Sequence, residues 1–144
     1  MATQDIERDF PGMEYEVRSD EDFNYNCLAF ALGDSTNWWE PGVMGHYWPP
    51  GFPADTTVKT VSAIIATHGF VVENADPTTV STDSVAIFAE GDKWTHFAKF
   101  TNGEWSSKLG EDHDVTHVRL RDLEGASPKY GRLVKILSRG VGVE

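Results

Sequence analysis

The stretch WTHFAKFTNGEWSSKL, from Trp94 to Leu109, decides the fold. Two alternating runs flank Asn102-Gly103, a pair in which both residues tolerate positive φ, and that is the strongest short-range signal for a two-residue β-hairpin. Such a turn sets Phe100 opposite Trp105, Ala98 opposite Ser107 and His96 opposite Leu109; a turn one residue different would put Lys108 in the place of Ser107. Side chains alternate along a strand, so His96 is expected on one face with Trp94, Ala98 and Phe100, and Thr95 and Lys99 on the other. The first face is the expected core side.

Working outward, further strand-like runs cover Phe70 to Glu73, Ser84 to Ala89, Val115 to Leu120 and Arg132 to Leu137. Helical patterns come earlier. Asn26 precedes Cys27-Leu28-Ala29-Phe30-Ala31-Leu32 and Gly33, which supplies an N-cap, a helix-forming stretch and a C′ glycine. A second helix, capped by Asp55 or Thr56, carries Val58, Val61, Ile64 and Ile65 at helical spacing until Gly69. Helices followed by a meander predict an α+β domain, an antiparallel sheet with helices packed on one face. Between the helices, residues 38–53 hold four prolines and three glycines and form an aromatic loop. Residues 1–20 read as a partly flexible N-terminal arm with little regular structure, docking through Phe10, Met13 and Tyr15, and residues 21–144 as one globular domain.

The chain of 144 residues is 40% hydrophobic and 12% aromatic, a composition that builds a packed core. Twelve Lys and Arg against 23 Asp and Glu leave a net charge of -11, which repels phosphate backbones and anionic lipid, so neither nucleic acid nor membrane is an expected partner. A small-molecule or peptide substrate, or a protein partner, suits this balance. The first residues carry no signal-peptide pattern and no apolar run approaches the ~20 residues of a membrane span, which makes the cytoplasm the expected location.

The single cysteine, Cys27, excludes an internal disulfide and cannot by itself supply a thiolate metal site. In the first turn of a helix, unpaired backbone N–H groups and the helix dipole favour a thiolate, and the same N–H groups can stabilise an oxyanion. Its expected base is His96, pointing from the sheet toward the covering helix, with Ser107 or Lys108 to orient the imidazole. A buried core cysteine and a hydrogen-bonded core histidine fit the same positions.

That order, a helix-starting cysteine, a strand histidine and a polar residue on the returning strand, resembles the NlpC-type branch of the papain-like cysteine peptidases and amidases. The resemblance implies a papain-like fold with Cys27 as nucleophile and His96 as base. NlpC-type enzymes usually carry Asp before the cysteine and His, Asn or Gln as the third member; here Asn26 and Ser107 or Lys108 stand there. The chain is also similar, over roughly residues 22–138, to a family of uncharacterised bacterial proteins of unknown function. The matching segments are Asn26 to Gly33, Trp38-Trp39, Tyr47-Trp48-Pro49, Thr95 to Ala98, Gly103 to Gly110, His117, Asp122 to Gly125 and Tyr130-Gly131.

Asn26, Trp38, Trp39 and Trp48 are the candidate substrate-binding residues, because flat aromatic faces hold sugar rings or acyl groups, although a roof over the core uses them as well. The run Asp112-His113-Asp114-Val115-Thr116-His117 has metal-capable side chains, but a strand entered from a loop does not aim the two histidines at one ion, so no metal and no cofactor are expected. The expected activity is thiol hydrolysis or acyl transfer on an amide or ester by the Cys27–His96 pair. The alternative is a non-enzymatic binding or immunity-type protein on the same scaffold.

Overall fold

A computed structural model describes residues 3–19, 24–74, 76–109, 113–125 and 129–139. Asn102 and Gly103 take φ values of 53° and 80°, as the two-residue turn requires, and join β4 (Lys93–Thr101) to β5 (Glu104–Lys108). Around this hairpin lies a seven-stranded sheet that includes β1 (Tyr15–Val17), β2 (Phe70–Asn74), β3 (Ser84–Glu90), β6 (Asp114–His117) and β7 (Arg132–Arg139). The order across the sheet is β1-β6-β5-β4-β3-β7-β2, and every neighbouring pair is antiparallel. The expected strand Val115 to Leu120 ends at His117, because Leu120–Leu123 turns into a short 3-10 helix.

Helices are few and short among the described residues: α1 (Thr3–Asp9), α2 (Cys27–Ala31) and α3 (Val58–Ala66). Neither five nor nine residues make a helix that is stable alone in water, so packing holds them. In α3 the side chains of Val61, Ile64 and Ile65 are all but fully buried, each worth roughly 1.5–3 kcal/mol of transfer free energy. Thr57 caps this helix by accepting from Thr60 N, one or two positions later than the caps expected from the pattern.

The papain-like α+β expectation, with helices on one face, does not hold. The sheet has a core on each face. On one, α2 and α3 cover Val85, Ile87, Phe97 and Leu137. On the other, Ala86, Phe88, Ala98, Trp105 and Val115 pack against Ile6, Phe10 and Met13 from the N-terminal segment and against Leu120 and Leu123. Residues 3–9 form a helix and Tyr15–Val17 an edge strand where little regular structure is expected, since the apolar side chains at 6, 10 and 13 have a whole sheet face to cover. Sequence periodicity locates elements but does not say how many sides of a sheet they must cover.

The hairpin register holds only near its turn. Phe100 opposes Trp105 as expected, but pairing stops at Lys99 opposite Ser106, so Ala98 does not oppose Ser107 nor His96 Leu109. β4 stays with β3, whereas β5 stays with β6. α2 packs against both parting strands.

Asn26 anchors α2 there. Its side-chain oxygen accepts from Ala29 N (3.1 Å) and Trp39 N (3.3 Å), while its amide donates to Trp39 O (2.7 Å). One buried amide thus caps the helix and pins the aromatic loop. Asn26→Ala removes the cap and strands both polar groups of Trp39, and the expected loss of about 2–4 kcal/mol exceeds the ~1 kcal/mol of a lone cap. Urea denaturation of the variant, and of Asn26→Asp with an intermediate loss, checks this.

Candidate functional site

Cys27 opens α2 and is 8% exposed, its sulfur lying against the backbone N–H groups of Phe97, Leu28 and Cys27 itself. Burial nonetheless pushes the thiol up to about 11, outweighing those amides and the nearby Lys108 charge. The expectation of a thiolate at neutral pH is thereby corrected. A five-residue helix has little dipole, and desolvation disfavours the anion more than the amides favour it.

His96 sits on the other face of the sheet from α2. A β-bulge is the reason: Phe88 pairs with His96 and Ala89 with Trp94, leaving Thr95 as the extra residue. The bulge sends Trp94 to the α2 side, where its ring lies 5.1 Å from that of Phe97, and leaves His96 with Phe88 and Ala98. The shared face expected for Trp94 and His96 is therefore absent. The imidazole is fully buried and stacks on Tyr130 at 4.0 Å with planes 6° apart. Burial, reinforced by His117, keeps it neutral well below the usual histidine range, and neither ring nitrogen has a hydrogen-bond partner among the described residues.

Tyr130 is placed by the chain beside it. Thr95 Oγ1 donates to its carbonyl, and Gly131 runs so close to β3 that a Cβ there would stand 2.4 Å from Ala89 O, at a φ of +81° that favours glycine. The sequence pattern offers no sign that Tyr130 faces His96.

Although they lie on different faces, Cys27 and His96 both line one cleft of about 320 Å³ near the edge of β4 that β5 leaves, where Trp94 N donates to Thr56 O (2.9 Å). Asn26 and Trp38 line it as well, together with Glu40, Trp94 and Tyr130. Trp94 Nε1, like the His96 nitrogens, is buried without a partner among the described residues. His96 and Trp94 thus line a cavity large enough for a small ligand while their own nitrogens are shut off from solvent. Trp39 and Trp48 are structural instead: Trp39 is buried and donates from Nε1 to Asp34 (2.8 Å), and Trp48 donates to Pro53 O (2.9 Å).

The expected orienting residues go elsewhere. Ser107 Oγ is 2.7 Å from His117 Nε2, so it serves that histidine and not His96. Lys108 is fully buried with its Nζ 5.0 Å from the centre of the Tyr25 ring, on the strand position opposite Asp114. In the run thought capable of holding a metal, His113 meets Ser19 O (2.8 Å) and Asp112 lies outside the described residues. Among the described residues no three His, Cys, Asp or Glu side chains come together as a metal site, and no helix is long and apolar enough to cross a membrane. A larger groove of about 630 Å³ runs along Tyr15, Trp105 and His117, but the one buried titratable group on it, His117, is already bonded to Ser107.

Burial lowers His117 to about 4 and His96 in the same direction. Their neutral folded forms cost nothing above the unfolded value near 6.5; below it the unfolded chain binds protons that the folded chain does not, and stability falls. The His117 contribution to this loss, between about pH 6.5 and 4, is on the order of 3 kcal/mol. Urea midpoints are expected to drop from pH 7 to pH 5, and His117→Gln to flatten that slope.

No curated protein and no solved structure matches the chain, and nothing in the comparisons supports an NlpC-type arrangement. A family match covers residues 16–138, nearly the whole described sheet with α2, α3 and the cleft. The chain belongs to the family described as a domain of unknown function, DUF7689.

Proposed function

We propose that this chain is a thiol-dependent hydrolase or acyl transferase acting on an amide or ester held in the Cys27–His96 cleft. The observation that carries this reading is that the only cysteine and a buried histidine, whose two nitrogens have no partner among the described residues, line the same cavity. The thiol attacks the carbonyl carbon as its proton passes to a His96 nitrogen, and backbone N–H groups of Cys27 and Leu28 meet the oxyanion. The leaving amine or alcohol takes the proton back, and water or a second acceptor then cleaves the thioester. Because the resting thiol and imidazole are both neutral, His96 acts as a general base during attack and does not form a standing ion pair with a thiolate. Each pKa unit between the two groups costs about 1.4 kcal/mol, which a bound, oriented carbonyl must offset.

A second reading, binding without chemistry, draws on that same gap and on the absence, among the described residues, of a hydrogen bond that would orient the His96 ring. Acyl transfer separates the two. With p-nitrophenyl acetate at pH 7, the enzyme reading expects an acetyl adduct on Cys27, seen by mass spectrometry, to form ~100-fold or more faster than on free cysteine. His96→Gln should return the rate toward that of the free thiol. Acetylation no faster than free cysteine, or a rate indifferent to His96, sinks the enzyme reading and leaves the binding one.

A further inference from the structure

The walls of the cleft also carry a charge preference. Glu40 is the only charged side chain on its lining among the described residues, since the imidazole of His96 is neutral. Its Oε1 accepts from Trp38 Nε1 at 3.0 Å and lies 3.4 Å from His46 Nδ1, while Oε2 makes no hydrogen bond among the described residues. Three aromatic residues, Trp38, Trp94 and Tyr130, line the same cavity; Tyr130 is stacked on His96 (4.0 Å) and packed on Phe10 (5.5 Å), so Trp38 and Trp94 are the walls to which a cation can come. Aromatic faces attract a cation through their quadrupoles, and a carboxylate with a free oxygen at the rim completes such a box. The chain's net charge of -11 raises the local concentration of cations around it. Lys108 is the opposing charge to weigh, and it is buried beside Tyr25 and is not part of the lining. Trp94 and His96 line the cavity as well, and their ring nitrogens are buried without a partner among the described residues, so an indole N–H is at hand to donate once a carbonyl reaches it.

Resting on the reading of this cleft as the ligand site, we propose that it selects acyl compounds bearing an ammonium group, with the cation between Glu40 and the aromatic walls and the carbonyl directed at Trp94 and His96. A lysine- or polyamine-type amide has this chemistry. An anionic acyl group does not suit it.

Binding can be measured with the thiol chemistry removed. In Cys27→Ser protein, Nα-acetyl-lysine methylamide, its neutral norleucine counterpart and its glutamate counterpart are titrated at pH 7.5, following the indole N–H resonances of Trp38 and Trp94. The expected result is at least tenfold tighter binding of the lysine amide than of the norleucine amide, weaker still for glutamate, with both indole signals moving. Glu40→Gln in the same background, with an unchanged melting temperature, should bring the lysine and norleucine amides to within about threefold. Equal binding of the three, a preference that survives Glu40→Gln, shifts that miss both indoles, or no binding at millimolar concentration overturns the proposal. A cation preference found in a protein that fails the acetylation assay keeps this inference while the enzyme reading falls, and the reverse outcome does the opposite.

Discussion

The parting of β4 from β5 after Lys99–Ser106 is the constraint on which the site depends. A strand edge that loses its neighbour has backbone donors and acceptors that must be satisfied by something else, and at the start of β4 Thr56 and Thr57 take up part of it. Here the start of α2 comes to that edge, so that the Phe97 amide faces the Cys27 sulfur, and Asn26 holds the helix start and the Trp39 backbone in one buried hydrogen-bonded knot. Had the hairpin stayed zipped to Lys108, there would be no gap for α2 and no cleft between Cys27 and His96.

The bulge at Thr95 is the second half of the same construction. It rotates Trp94 to one side of the sheet and leaves His96 on the other, so the two line the cleft from opposite faces. Tyr130 then backs the imidazole, brought in by a glycine that alone tolerates the approach to Ala89. Buried polar groups are costly when unpaired, and the nitrogens of His96 and Trp94 are buried without a partner among the described residues.

Much of this was readable from particular residues. Asn102-Gly103 announced its turn, Asn26 its cap, Gly33 and Gly69 the helix ends, and the alternation from Ser84 to Ala89 a strand, because each is a local choice of backbone conformation. Asn26, Cys27 and Trp38, candidates by residue type and position, line one cavity in the fold. Glu40 and Tyr130 carry no local signal of their place on the lining, and Ser107, Lys108, Trp39 and Trp48, site candidates by residue type and spacing, are placed by the fold in the interior or the loop.

The amino-acid sequence by itself therefore determined the hairpin, the helix caps and the kinds of group available for chemistry, since these follow from φ preferences, side-chain periodicity and composition over a few neighbouring residues. Only the tertiary structure decided that the sheet is covered on both faces, that β4 and β5 part, and that burial drives the thiol up and the imidazoles down. Those outcomes depend on which distant side chains exclude water from which atoms, and desolvation is a property of the packed whole that no short stretch of chain contains.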